Sequence, residues 1–207
     1  MKLFVWDFHG TLERGTEYAC IEFTNNILQE SGYSERCTEE QILMHYGKKW
    51  RDIFREIVMA TDETYKTLEE KALELTNKDF HRVKKHLKRN DHIPYVLEAI
   101  RNKGHKQILI SNTSEENLDY FLLATELNSL FPKDKRFATT THDGENPKIN
   151  TLRWYLDNSE KRFTDIITIG DRDKDIELVH VAGGISYLYA HPERPFQDCR
   201  GDIIPDY

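Results

Sequence analysis

The chain has 207 residues, enough for one large domain or for a core domain with a small second lobe. Its net charge of −7 and pI near 5.7 argue against a general basic surface for nucleic acid. No apolar run approaches the roughly 20 residues of a membrane span, and the cysteines lack metal-ligand spacing. We expect a protein of the reducing cytoplasm that binds neither nucleic acid nor membrane.

The chain opens on an apolar run, residues 3–6, that ends in Asp7 and is followed by His9 and the Gly10-Thr11 turn. This pattern predicts a buried strand with a carboxylate at its C-terminal end. Ligands bind at that edge of open α/β sheets, so Asp7 is a candidate functional residue; an aspartate that only caps the turn is the alternative. Residues 13–16 are polar and contain glycine, and we expect a flexible connection there.

A long stretch with helical periodicity follows and predicts four helices within residues 15–90. Thr38 and Gln41 form a capping-box signature at the start of the second helix, and the fourth, residues 62–87, can break near Thr76-Asn77. A basic cluster lies in or beside the third helix: Lys48, Lys49, Arg51 and Arg55. The cluster could reach an anionic group of a ligand, although a solvated basic face is the commoner arrangement.

Strands and helices alternate in the rest of the chain. We predict strands at residues 107–111, 136–140, 165–170 and 185–189, with helices at 115–128, 149–157 and 174–182. Such alternation is typical of an α/β fold with a mostly parallel, doubly wound sheet that carries helices on both faces. The tail from residue 191 contains three prolines, and we expect it to be irregular.

The strand at residues 165–170 ends like the first one, in Gly170 and Asp171, and Asp175 follows four residues later. If a helix starts near Arg172, this spacing can turn both carboxylates toward one place. With Asp7 they would form a group of carboxylates that repel each other unless a cation such as Mg²⁺ neutralises them. Acids that only complement a helix dipole are the alternative, which explains their repeated position at strand ends less well.

Two more candidates lie between these strands. Ser111 and Asn112 end the strand at residues 107–111, where a hydroxyl and backbone N–H groups could bind an anion. Lys148 precedes an amphipathic helix and could direct a positive charge at the same pocket. Taken singly, Ser111 is more simply explained as a helix cap and Lys148 as a surface lysine.

In this order the four groups resemble the haloacid dehalogenase superfamily, and the resemblance spans essentially the whole chain. Its phosphatases carry an Asp-x-Asp-Gly-Thr loop, a Ser or Thr at the next strand end, a Lys, and a Gly-Asp motif with a second acid. The corresponding groups here are residues 7–11, Ser111, Lys148, and Gly170-Asp171 with Asp175. One position departs from the pattern, because His9 stands where these phosphatases have their second aspartate.

The resemblance implies a Rossmann-like core of residues 1–14 and 91–207, with an inserted four-helix cap domain at residues 15–90. Caps of this kind close over the site, which implies a small phosphorylated metabolite as substrate. The expected activity is that of a Mg²⁺-dependent phosphatase, either slow or sensitive to the leaving group.

Site roles also follow from the resemblance. Asp7 is the expected nucleophile, forming an aspartyl-phosphate, and Mg²⁺ is held by Asp7, the backbone carbonyl of His9 and Asp171, with Asp175 in support. His9 takes the acid/base position, where a neighbouring cation would favour its neutral form and therefore the role of base.

The phosphoryl group itself is expected to contact three residues. Ser111 and Asn112 would hold it, and Lys148 would offset the negative charge on it and on the nucleophile.

Three alternatives remain open. Haloacid dehalogenases also lack the second aspartate and have a serine-asparagine pair like Ser111-Asn112, but they need no metal, whereas the Gly-Asp motif here is typical of a metal site. A phosphonate hydrolase would need a cap lysine for a Schiff base, for which Lys48 or Lys49 is the candidate. The third is a catalytically impaired binding protein that kept the fold, with His9 as the sign of lost activity.

Overall fold

The computed structural model describes residues 1–45, 49–139, 146–190 and 202–205. The chain divides into a core unit, Met1–Arg14 with Arg89–Tyr207, and a helical unit, Gly15–Lys88. None of the helices among the described residues is long and apolar enough to cross a membrane.

The core unit is built on a parallel sheet. In chain order, the described strands are β1 (Leu3–Trp6), β2 (Glu13–Arg14), β3 (Lys88–Arg89), β4 (Lys106–Asn112), β5 (Arg136–Thr139), β6 (Ile166–Gly170), β7 (Ile185–Ala190) and β8 (Asp202–Pro205). The main sheet has the order β5-β4-β1-β6-β7-β8, and every neighbouring pair is parallel. The predicted α/β fold with a mostly parallel sheet is confirmed.

Helices of the core unit connect these strands. They are α6 (Ile93–Asn102), α7 (Glu115–Ala124), α8 (Pro147–Asp157), α9 (Asp173–Ile176) and α10 (Leu178–Ala182), with a 3-10 turn at Lys133–Lys135. The apolar strand residues, such as Val5, Ile108 and Ile110, form a buried cluster with Leu152 of α8 and Leu178 of α10. Because both faces of a parallel sheet are covered, its strands are continuous apolar runs, as this sequence has them.

The helical unit contains α1 (Thr16–Glu30), α2 (Glu39–His45), α3 (Trp50–Ile57), α4 (Asp62–Lys78) and α5 (Phe80–His86). The capping box is confirmed, since Thr38 N–H donates to Gln41 Oε1 at 3.0 Å and Gln41 N–H donates to Thr38 Oγ1 at 3.2 Å. The predicted fourth helix is divided at Asp79, close to the expected break. The described part of this unit therefore has five helices rather than four.

Two predicted irregular segments are ordered instead. Residues 13–16 were expected to be flexible, yet Glu13 lies in β2 with no exposed surface and α1 begins at Thr16. The tail was expected to be irregular, yet β8 pairs with β7, placing Ile203 opposite Leu188. Isoleucine favours strands, and Pro205 is tolerated because β8 is the edge strand. Both expectations are wrong for these residues, and residues 191–201 lie outside the described part of the chain.

Candidate active site

The strand register brings the C-terminal ends of β1, β4 and β6 to the same edge of the sheet. Trp6 pairs with Leu109 of β4 and with Ile169 of β6, and the Asp7 N–H donates to the Ile169 carbonyl at 2.8 Å. Asp7 therefore leaves the sheet between the carboxyl ends of β4 and β6. The structure places Asp7 and Asp171 on neighbouring strand ends, at the edge where parallel sheets bind ligands.

Lys148 joins this edge from α8. Its ammonium donates to Asp7 Oδ1 at 2.5 Å and to Asp175 Oδ1 at 2.6 Å, and all three side chains are almost completely buried. The start of α8 is fixed by Asn146, whose Oδ1 accepts from the Lys148 N–H at 3.2 Å and whose Nδ2 donates to the Lys174 carbonyl at 2.7 Å. The lysine is therefore part of the candidate site rather than a surface residue.

Asp175 is held by both of its oxygens. Oδ1 accepts from Lys148, and Oδ2 accepts from the backbone N–H of Arg172 at 3.2 Å at the start of α9. This approach requires Gly170, because a Cβ there would lie 2.2 Å from the Asp175 Cβ. Asp175 thereby positions the Lys148 ammonium beside Asp7.

The three aspartates form a compact group of carboxylates. Oxygen atoms of Asp7, Asp171 and Asp175 lie within 4.8 Å of one another, and all three residues are buried. Lys148 and Arg172, whose Nε lies 3.7 Å from Asp171 Oδ2, leave one formal negative charge among the three ionised carboxylates, which a bound cation would balance. Hard oxygen ligands at this spacing suit Mg²⁺, so the residues present fit the expected metal.

Burial and the mutual charges of Asp7, Lys148 and Asp175 shift the pKa values of all three groups. Burial raises the pKa of Asp7 above its ordinary value, opposed by Lys148 and assisted by the charge of Asp171. Burial also raises the pKa of Asp175, to about 6, against the opposing effect of Lys148. For Lys148, burial acts to lower the pKa, but the charges of Asp175 and Asp7 outweigh it and the pKa is raised. An additional positive charge would therefore favour the ionised carboxylates.

Two buried hydroxyls near this edge are unsatisfied. Ser111 at the end of β4 and Thr11 after β1 have no exposed surface, and no described residue forms a hydrogen bond with Ser111 Oγ or Thr11 Oγ1. Leaving such groups unpaired costs free energy, which a bound ligand with acceptor oxygens would recover. Asn112 differs, because its Oδ1 accepts from Thr139 Oγ1 at 2.5 Å. Ser111 is thus the stronger candidate for contact with an anion.

His9 occupies the loop after β1 together with a residue that the sequence analysis missed. Its Nδ1 lies 2.8 Å from Oε1 of Glu13, a carboxylate with no exposed surface. His9 also contributes to lowering the pKa of Asp7, so its ring is within electrostatic range of that carboxylate. An acid four residues after the histidine, in a turn closed by glycine, was the available signal for Glu13.

Half of the basic cluster of the helical unit is paired with acids. Arg51 forms hydrogen bonds with Glu69 at 2.9 and 3.1 Å, and Arg55 donates to Asp62 at 2.8 Å. Lys48 lies outside the described residues, and Lys49 precedes α3. Two of the four predicted basic groups are thus engaged by acids of the same unit.

Comparisons with known proteins can now be set beside this geometry. Residues 4–187 match the family described as haloacid dehalogenase-like hydrolase. A comparison with curated protein sequences finds no match.

Solved structures share the fold. A predicted phosphoglycolate phosphatase from Haemophilus somnus is 16% identical with a TM-score of 0.70, covering 90% of this chain and 84% of that one. A haloacid dehalogenase-like family hydrolase from Streptococcus pneumoniae is 13% identical with a TM-score of 0.68, covering 91% and 84%. Protein tyrosine kinase A from Mycobacterium tuberculosis is 15% identical with a TM-score of 0.73, covering 99% and 93%. At these identities the similarity establishes the fold alone.

Proposed function

Because the chain belongs to the haloacid dehalogenase-like hydrolase family, we propose that it is a Mg²⁺-dependent phosphatase that hydrolyses a small phosphorylated metabolite of the cytoplasm. The observation that carries this proposal is the buried contact between Asp7 and Lys148 beside Asp171. An acid kept in low dielectric, with its charge partly balanced, suits a nucleophile that must attack an anion.

Asp7 is the nucleophile in this proposal. Lys148 holds Oδ1, and no described residue donates to Oδ2, which is the oxygen that attacks phosphorus. The bond from phosphorus to the leaving oxygen breaks as the new bond forms, giving an aspartyl-phosphate and an alkoxide. Water then attacks the same phosphorus, releases inorganic phosphate and regenerates the carboxylate.

Charge neutralisation accounts for the remaining groups. Lys148 offsets the repulsion between the nucleophile and the phosphoryl oxygens, and the unpaired hydroxyl of Ser111 donates to one of these oxygens. Asp7, the backbone carbonyl of His9 and Asp171 would hold Mg²⁺, which supplies further positive charge when bound. Asp175 keeps Lys148 in place.

His9 supplies proton transfer in place of the second aspartate of related phosphatases. In the first step the doubly protonated imidazole donates one proton to the leaving alkoxide and becomes neutral, and in the second it takes a proton from the attacking water and returns to its starting form. The proton balance closes over one cycle, so no other acid is required. The proposal also assigns a cap role to the helical unit, Gly15–Lys88, restricting the substrate to a small molecule.

The other activities considered are less well supported by the site. A dehalogenase needs no metal, whereas the group of three buried carboxylates present here suits a cation. The phosphonate hydrolase alternative rests on Lys48 or Lys49, of which the first lies outside the described residues. The predicted phosphoglycolate phosphatase among the structural neighbours is in keeping with phosphate ester chemistry.

A panel of phosphate monoesters, assayed with Mg²⁺ and with EDTA, tests the proposal. We expect turnover that requires Mg²⁺ and falls by at least about 10³-fold in Asp7→Asn. The matched control is Asp165→Asn, which makes the same change at a half-exposed acid preceding β6, paired with Lys2 at 3.4 Å. Equal activity of wild type and Asp7→Asn, or a complete lack of turnover with all esters, would contradict the proposal and favour a binding protein.

A further inference from the structure

The loop after β1 folds back on itself and brings two ionisable side chains together. The N–H groups of Thr11, Leu12 and Glu13 all donate to the Phe8 carbonyl, at 3.3, 2.9 and 3.3 Å. Gly10 makes this turn with a φ of 75°, a conformation that side chains disfavour. The turn is tight enough for His9 and Glu13 to form a backbone bridge, which fixes the positions of their backbones relative to each other.

Glu13 lies in a buried position, where an ionised carboxylate costs free energy unless it is hydrogen-bonded. Its side chain has no exposed surface, and its Oε1 lies 2.8 Å from Nδ1 of His9. A carboxylate removed from water must be hydrogen-bonded, and an ionised carboxylate can only accept. When Glu13 is ionised, Nδ1 of His9 carries the hydrogen and donates it to Glu13. Proton exchange with a ligand is then assigned to the other ring nitrogen, Nε2.

Aromatic side chains fix the plane of the same ring. His9 lies edge-on to Phe121, with ring centroids 4.7 Å apart and planes at 87°, and edge-on to Phe8 at 5.1 Å and 88°. Phe121 and Phe8 are themselves buried and stacked at 5.6 Å. Rotation of the imidazole is thus restricted by packing on one side and by the Glu13 hydrogen bond on another.

From this geometry we propose that Glu13 is a positioning residue that fixes the tautomer and orientation of His9, leaving Nε2 to exchange protons with the substrate. The inference rests on the phosphatase activity proposed above and assigns a role to a residue outside its nucleophile and cation groups. It explains why a buried acid is kept in a short connection that leads out of the core sheet. It also explains how a histidine can act where related phosphatases have an aspartate.

The tautomer can be measured without any turnover. Two-bond ¹H–¹⁵N correlations of ¹⁵N-labelled protein, recorded where imidazoles are neutral, distinguish the two tautomers, and the His9 signals are identified by their loss in His9→Asn. We expect the Nδ1–H form in the wild type and loss of this preference in Glu13→Met, which has no acceptor. Glu13→Gln keeps an acceptor and should retain the preference in part. Glu17→Gln, at another buried acid that binds the Gly15 N–H, is the matched control with the wild-type pattern.

Kinetic measurements then test whether the positioning of His9 by Glu13 affects the hydrolysis of a phosphate ester. With an alkyl phosphate and Mg²⁺, we expect Glu13→Met to lower kcat by at least about tenfold with KM changed by less than about twofold, and Glu13→Gln to recover part of the loss. An aryl phosphate, whose leaving group needs less protonation, should show a smaller decrease. In a His9→Asn background the change at position 13 should have no further effect, because Glu13 acts through the histidine.

Each outcome decides a different claim. A wild-type Nε2–H tautomer would overturn the inference, and so would an unchanged tautomer and kcat in Glu13→Met. An additive loss in the His9→Asn background would do the same, since it would show that Glu13 acts independently. If Glu13→Met does not fold, the tautomer of the wild type and the tautomer and kcat of Glu13→Gln still test the inference. Lack of turnover in the wild type would contradict the phosphatase alone, and the tautomer measurement would stand.

Discussion

Two ion pairs, one from each unit of the molecule, are in opposite situations. In the core unit, Lys148 and Asp7 are almost completely buried and hydrogen-bonded to each other. In the helical unit, Arg51 and Glu69 form an ion pair that is partly open to solvent. Burying charges costs several kcal/mol per ion, whereas exposed pairs contribute little in either direction. The difference between these two pairs shows that the sheet edge keeps an ion pair buried at a cost, which marks it as a place where chemistry is to be expected.

Removal of the buried lysine should give the largest effect. Lys148→Met leaves Asp7 and Asp175 buried without their common partner, so we expect a loss of about 3–5 kcal/mol in the free energy of unfolding. Mg²⁺ should restore part of this loss, because a bound cation stabilises the folded state. Urea denaturation with and without Mg²⁺ measures both quantities.

The matched control for that variant is Lys2→Met, at a half-exposed ion pair with Asp165. Its expected cost is within about 1 kcal/mol and should not respond to Mg²⁺. If the two variants lost equal stability, the contrast between buried and exposed charges would not hold.

A smaller effect is expected from Gly170→Ala at the end of β6. The added Cβ would lie 2.2 Å from the Asp175 Cβ, so the aspartate must shift, at a cost of about 1–3 kcal/mol together with weaker Mg²⁺ binding. Calorimetric titration with Mg²⁺ and denaturation provide the two readouts. Gly104→Ala is the control, because its positive φ of 75° makes it strained while no atom lies within 4 Å. It should lose stability only, and a loss of Mg²⁺ affinity in both variants would argue against local positioning of Asp175.

The basic cluster of the helical unit should have still less influence. Arg51→Gln breaks the pair with Glu69, and we expect a stability change within about 1 kcal/mol that decreases further at high salt. KM for a phosphate ester should change by less than about twofold, since the arginine is already engaged. A large rise in KM would instead show that Arg51 exchanges its partner for the substrate.

The smallest effect concerns pH. The hydrogen bond from His86 is the main cause that lowers the pKa of Glu22 in α1 below its ordinary value of 4.5. A lowered carboxyl pKa contributes stability that is present above about pH 4.5 and is lost as the pH falls through the folded-state value. Glu22→Gln should remove this part of the acid dependence, a few tenths of a kcal/mol because the pair is partly exposed. Equal acid sensitivity of the two proteins would contradict the assignment.

Much of the fold followed from one sequence feature, the apolar run that ends in a polar residue. β1, β4 and β6 are all of this kind, and parallel pairing brings their ends to one edge. The position of Asp7, Ser111 and Asp171 on that edge was therefore predictable, because buried parallel strands impose both composition and direction. Lys148 was expected to point at this place, and its contacts lie there.

The remaining features depend on contacts that spacing does not encode. Asp175 was predicted to support a cation and lies in the group with Asp7 and Asp171, but its hydrogen bonds to Lys148 and the Arg172 N–H could not be predicted from spacing. Glu13 was assigned to a flexible connection because polar residues near glycine are usually exposed, and only the turn around Phe8 shows that it is buried. The tail was expected to be irregular because of its prolines, and only the pairing with β7 reveals the strand β8.

Mapping of the phosphoryl group tests the central claim most directly. Wild-type protein mixed with a phosphate ester and Mg²⁺, quenched in acid and digested, should yield a peptide that carries the phosphoryl group on Asp7, lost in Asp7→Asn but retained in Asp165→Asn. A phosphoryl group on any other residue, or efficient hydrolysis without an adduct at any quench time, would contradict attack by the buried carboxylate beside Lys148.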